Sequence, residues 1–247
     1  MIEKLKKYLK QVEANQHLII NEIESSKKQT KEVEWAAIYH DSIRGKKWLE
    51  ELPLNIGRWA GNYSFFYVLN RILNDYQPKK ILELGLGESS KVISAYLDNY
   101  LIESTHLIIE QDENWATAFN QKFTLSKNST IKVLPLEQQE VNSFKVNGYT
   151  NFAEEISETF DFYLVDGPFG SEHFSRYDII SLVKKFTPIQ QFIILFDDTN
   201  RKGEFETCKE IKSILEQNKI NFYEGYYEGV KGSTIIATER YKYATSL

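Results

Sequence analysis

After Pro78 the chain alternates short apolar runs with segments whose apolar residues recur every third or fourth position. KILEL (80–84), THLIIE (105–110), IKVLPL (131–136), FDFYLVD (160–166) and FIILFDD (192–198) have the length and continuity of strands buried on both faces. Between them, Val92, Ile93, Tyr96 and Leu97 share one helical face, and Trp115, Phe119 and Phe123 share another. Such alternation predicts a parallel sheet with right-handed crossovers. The end of the chain breaks the rhythm: INFYEGYYEGVKGSTIIATER (220–240) reads as two strands joined by a glycine-containing link, so one strand near the sheet edge must run backwards. The pattern predicts a doubly wound α/β domain over residues 78–247, with a seven-stranded, mostly parallel sheet and an antiparallel last strand.

Residues 1–77 follow a different pattern and form a separate N-terminal helical segment. Ile2, Leu5, Leu9, Val12, Ile19 and Ile23 recur at helical spacing among charged residues, which predicts a long amphipathic helix. That stripe either docks on the chain's own domain or forms a coiled-coil seam with a second copy, making a homodimer. Further helices are expected over about 31–52 and 62–76. LPLNIGRWAGN (52–62) lies between them as a loop that delivers Arg58, Trp59 and Tyr63, candidate substrate-binding residues on a lid; the plainer reading is that Trp59 seals the junction between helices and sheet.

A net charge of −5 disfavours nucleic acid as a partner. A single cysteine, Cys208, cannot form an intrachain disulfide. No stretch approaches the roughly 20 apolar residues that span a bilayer, and the start is charged throughout, so no membrane association is expected and the expected location is cytoplasmic.

Candidate chemistry begins at ILELGLGESS (81–90), an apolar strand running through Glu83 into a turn with Gly85 and Gly87, then Ser89 and Ser90. A strand–turn–helix of this kind holds anionic or nucleotide ligands on backbone amides. The third glycine of a dinucleotide fingerprint is absent, but Glu110 ends the following strand, where an acid can accept hydrogen bonds from a ribose diol.

These residues resemble the class I S-adenosylmethionine-dependent methyltransferases over about residues 55–240. The first motif of that family looks like ILELGLGESS, its second strand ends in an acid as at Glu110, and its seventh strand is antiparallel and hairpin-linked to the sixth. The resemblance implies that Glu83, Gly85, Gly87, Ser89 and Ser90 surround the methionine part of S-adenosylmethionine. It further implies that Glu110 binds the ribose and that Leu136 and Glu137 flank the adenine. Ser89 departs from the usual third glycine.

Three acids follow the later strands: Asp166 after one, Asp197 and Asp198 after the next. The ends of neighbouring parallel strands converge on the crevice, and crowded carboxylates repel unless one is protonated or a cation lies between them. The metal-dependent O-methyltransferases look similar here. That likeness implies Mg²⁺ or another divalent cation on Asp166, Asp197 and Asp198, with Asp166 also touching the cofactor; the alternative is that these acids cap turns. His173 is a candidate base, and Arg176 and Arg201 either bind an acidic substrate group or neutralise the aspartates. VDGPFG…RYD with FDDTNRKGE also resembles a bacterial branch associated with surface-glycan biosynthesis.

The sequence therefore predicts O-methylation of a small-molecule or sugar hydroxyl, the acceptor being a small molecule or glycan. The alternatives are a nicotinamide-dependent oxidoreductase and a non-catalytic cofactor-binding module on the same sheet. An RNA methyltransferase is disfavoured by charge and by the lack of an Asn/Asp-Pro-Pro-aromatic signature.

Overall fold

Apolar residues on consecutive strand positions point to opposite faces, and here both faces are covered. In the computed structural model, which describes residues 2–247 and of Ile2 only the backbone, Ile81, Phe162, Leu164, Ile193 and Leu195 join one core cluster. Leu82, Leu84, Tyr163, Val165, Ile194 and Phe196 join the other. The strands are β1 (Lys80–Leu84), β2 (Thr105–Glu110), β3 (Ser129–Val133), β4 (Leu136–Val141), β5 (Phe144–Tyr149), β6 (Phe162–Val165), β7 (Ile193–Phe196), β8 (Tyr223–Glu228) and β9 (Gly232–Ala237). Seven of them form one sheet in the order β3-β2-β1-β6-β7-β9-β8. β1 pairs parallel with both β2 and β6, while β9 runs antiparallel to both β7 and β8. This is the expected doubly wound, Rossmann-like sheet, with its switch point between β1 and β6.

The helices are α1 (Ile2–Ile43), α2 (Lys47–Glu50), α3 (Tyr63–Arg71), α4 (Glu88–Asn99), α5 (Glu113–Lys122), α6 (Phe152–Glu155), α7 (Ile179–Val183) and α8 (Lys202–Gln217). Asn62 caps α3 by accepting from the Phe65 amide, and Phe65, Phe66, Val68 and Leu69 bury against the sheet core with Val92, Ile93 and Tyr96 of α4. Asp112 caps α5 in the same way. None of the helices among the described residues is long and apolar enough to cross a membrane.

Three features differ from the sequence pattern. First, the helix expected over 31–52 is not separate: α1 continues unbroken through SSKKQT to Ile43. Second, the α1 stripe does not dock on its own domain. Leu5, Leu9, Ile19 and Ile23 are each about half or more exposed, Val12 is half-buried, and α1 meets the body only from about Lys31 onward. There Trp35, Tyr39 and Ile43 enter the core, and Glu32 accepts from Asn62 Nδ2, the Tyr63 amide and the Val230 amide at 2.7–2.9 Å. Third, IKVLPL is not one strand. β3 stops at Val133, and β4 and β5 form a separate hairpin in the connection from β3 to β6, ahead of the short α6.

Candidate functional site

At the switch point, two glycines let the turns after β1 and β6 touch. Gly85 has φ +99°, a conformation that favours glycine, and a Cβ there would meet the Gly167 nitrogen at 3.1 Å. A Cβ on Gly167 would lie 2.8 Å from Gly85 Cα and 2.7 Å from the Tyr149 hydroxyl. Gly87 opens α4, its amide donating to Ser90 Oγ at 3.0 Å.

Glu110 closes this turn from the β2 side. Its Oε2 accepts from the Leu86 amide at 2.9 Å, and its Oε1 accepts from the amides of Gln111 and Asp112 at 2.7 and 2.8 Å. The residue is 2% exposed, and burial raises its pKa above the ordinary carboxylate value against the opposing effect of those amides. Each carboxylate oxygen can accept two bonds, and Oε2 accepts one, from Leu86. The Trp115 indole donates to the Leu86 carbonyl at 2.8 Å and fixes the same turn from α5.

Glu83 and Ser89 serve the turn from inside. Both are buried; the Ser89 hydroxyl donates to Glu83 Oε1, and His106 Nε2 lies 2.9 Å from Glu83 Oε2. This buried trio ties the start of α4 to β1 and β2. Glu137 lies on the hairpin, exposed and opposite Gly148.

The acids after β6 and β7 do converge: Asp166, Asp197 and Asp198 each offer an oxygen within 4.8 Å of the others. They converge on Arg176, however. Its Nη2 lies 3.0 Å from Asp166 Oδ1 and 3.1 Å from Asp198 Oδ2, and its Nη1 donates to the main-chain oxygens of Asp197 at 2.9 Å and Val165 at 3.4 Å. Glu204 approaches Arg176 Nε at 3.9 Å. Two further cations reach Asp198: Arg201 Nη1 at 3.1 Å and Lys231 Nζ at 3.5 Å. Asp197 Oδ1 accepts from the Ser233 hydroxyl at 2.7 Å.

The donor chemistry of three carboxylates suits a hard divalent cation. The place between them does not, because a guanidinium already bonds two of the three and a dication there would face its charge at close range. Arg176 is the cation that pairs both Asp166 and Asp198, while Asp197 Oδ2 and Asp198 Oδ1 are buried without a hydrogen-bond partner among the described residues. Asp166 reaches outward, with a side chain about 20% exposed, whereas Asp197 and Asp198 are buried. Burial, with Asp197 and Asp198 nearby, raises the Asp166 pKa; the neighbouring Arg176 opposes the rise.

His173 has other partners. Its Nδ1 is 3.0 Å from Glu206, its Nε2 is 2.9 Å from Lys202 Nζ, and its ring stacks on Phe144 at 3.8 Å. These contacts pin the β4–β5 hairpin to the start of α8, and none of them involves the acid cluster.

The loop before α3 spans from one side of the crevice to the other. At one end the Asn55 amide donates to Glu88 Oε2 at 2.9 Å, just past the glycine turn. At the other, Lys231 donates to the Ala60 carbonyl at 2.9 Å while facing Asp198. Arg58 and Trp59 lie exposed between these anchors, Trp59 at 93%. Tyr63 instead packs against Tyr39 and His40 at the α1 junction.

Reading the sequence missed Lys231, Glu204, Tyr149 and His106. Lys231 carried a faint signal, a cation flanked by Gly229 and Gly232 in the final hairpin link.

No family model matches the chain, and no curated protein matches it in sequence. Solved structures similar to it include an O-methyltransferase of Streptomyces achromogenes involved in tomaymycin synthesis, in complex with SAM, 12% identical. That match covers 83% of this chain and 88% of that one, with a TM-score of 0.46. An O-methyltransferase of Bacillus cereus in complex with SAH is 12% identical over 82% of this chain and 91% of that one, TM-score 0.46. A SAH-bound methyltransferase of Podospora anserina is 14% identical over 73% and 80%, TM-score 0.45.

Proposed function

We propose that this chain is an S-adenosylmethionine-dependent O-methyltransferase acting on a hydroxyl of a small molecule, a sugar unit or glycan among them, without a metal step. The observation that carries the reading is the contact of Glu110 with the glycine turn, Oε2 to the Leu86 amide at 2.9 Å, at the switch point of a sheet whose β9 is reversed. A ribose diol would use the second acceptor position on Oε2, and the open backbone at Gly85 and Gly87 would let the methionine end approach.

The cofactor brings a methyl group already activated on its sulfonium. The protein has to hold the acceptor oxygen in line, exclude water and take one proton. Asp166 is the carboxylate of the cluster that reaches the surface, and we assign it that proton. Arg176 orients Asp166 and balances the buried Asp197 and Asp198. Arg58 and Trp59 bind the acceptor from the spanning loop.

The test is methyl transfer from S-adenosylmethionine to a panel of hydroxylated acceptors, with and without chelator, in the native chain and Asp166→Asn. Activity that survives chelation and falls at least a hundredfold in the variant supports the reading. Binding of a nicotinamide dinucleotide in preference to S-adenosylmethionine would favour the oxidoreductase alternative. Cofactor binding with no transfer to any acceptor would favour the non-catalytic module.

A further inference from the structure

The first thirty residues of α1 leave the body. From Glu3 to Lys31 every residue is exposed except half-buried Val12. Yet Leu5, Leu9, Val12, Ile19 and Ile23 follow the alternating four-and-three spacing of a coiled-coil seam, with Gln16 completing the series. A lone helix with such a stripe in water lacks the packing that stabilises helices in proteins.

Charge is divided along the same segment. The tip carries Lys4, Lys6, Lys7 and Lys10 against Glu3 alone; residues 11–26 carry Glu13, Glu22 and Glu24 and no lysine or arginine. A parallel, in-register pair would stack four lysines on their own copies. An antiparallel pair reverses this. With Leu5 opposite Ile23 of the second copy, the layers become Leu5–Ile23, Leu9–Ile19 and Val12–Gln16, repeated by the two-fold axis. The outer layer is then flanked by Lys4 beside Glu22 on one side and Lys6 beside Glu24 on the other. A surface complementary to itself under a two-fold is what a closed homodimer requires.

We propose that α1 pairs antiparallel with α1 of a second copy of this chain, in that register, with Gln16 as the polar residue that fixes it. The axis passes near Ala14. Glu32, where the helix meets its body, is about 27 Å from it at ~1.5 Å rise per residue. The two bodies therefore stand at opposite ends of the pair with both crevices open. This inference is independent of the methyl-transfer reading.

The experiment uses the full chain. Light scattering and sedimentation at micromolar concentration are expected to give twice the 28.9 kDa chain mass. Lys4→Glu with Lys6→Glu, or Glu22→Lys with Glu24→Lys, should weaken the dimer at least tenfold, and all four together should restore it. For orientation, a mixture of Leu5→Cys and Ile23→Cys chains should form a mixed disulfide, while Leu5→Cys alone should not; Cys208 is buried and does not compete. A native chain of monomer mass, a quadruple variant that stays monomeric, or Leu5→Cys chains that cross-link to each other would overturn the proposal.

Discussion

Arg176 sits in the left-handed region at φ +57° and is nearly fully buried, a conformation that non-glycine residues hold only where surrounding contacts compensate. Its compensation is the set of acids around it. Arg176→Ala leaves Asp166 without its cation and Asp198 with Arg201 and Lys231 alone, and should cost about 3–5 kcal/mol of stability, read by urea unfolding. Millimolar Mn²⁺ should then stabilise the variant by entering the vacated place, while the native chain responds neither to Mn²⁺ nor to chelator. A native midpoint that moves with chelator would contradict the assignment. Asp178 gives a second test. It accepts from the Tyr149 amide at 2.8 Å, and burial raises its pKa to about 7. A carboxyl whose pKa is raised on folding binds its proton more tightly in the native state. Its contribution is full below about pH 4 and is lost as pH rises toward 7. Asp178→Asn should flatten the fall in melting temperature across that window, and an unchanged slope would show that Asp178 is not its source.

The loop from Pro53 to Gly61 is anchored at both rims of the crevice and exposes Trp59 between them. Trp59→Ala should raise KM for the acceptor about tenfold with kcat within about twofold, leaving cofactor affinity unchanged, as expected for a residue that binds the acceptor without touching the reaction. A change confined to cofactor affinity would assign the loop to the other side of the crevice. Among the elements, the strands of the main sheet were legible because burial on both faces leaves continuous apolar runs. The β4–β5 hairpin was not, because EQQEV offers little apolar contrast; its mark is the pair Asn142 and Ser143, both at positive φ in a two-residue turn. The stripe of α1 was legible as a face needing a partner. Which partner is a tertiary fact, and the body it was expected to dock on is already covered by α3 and α4. In the site, Glu110 and the three aspartates could be found because each ends a strand. For Arg176 the sequence left two readings, an acidic substrate group or the aspartates, and the loop between β6 and β7 brings it to the aspartates.

At the scale of the molecule, the sheet brings together three things far apart in sequence: the glycine turn at 85–87, the acid at 110 and the charged cluster built from 166, 176, 197 and 198. All three lie at the carboxyl ends of the parallel strands beside the switch point, where open α/β sheets bind their ligands. The central claim is that this site takes S-adenosylmethionine, and calorimetric titration of the native chain with that compound tests it most directly. The account predicts saturable binding at one site per chain, lost in Glu110→Ala chains whose circular dichroism shows them folded. A native chain that releases no binding heat and fails to retain the compound in equilibrium dialysis would contradict it.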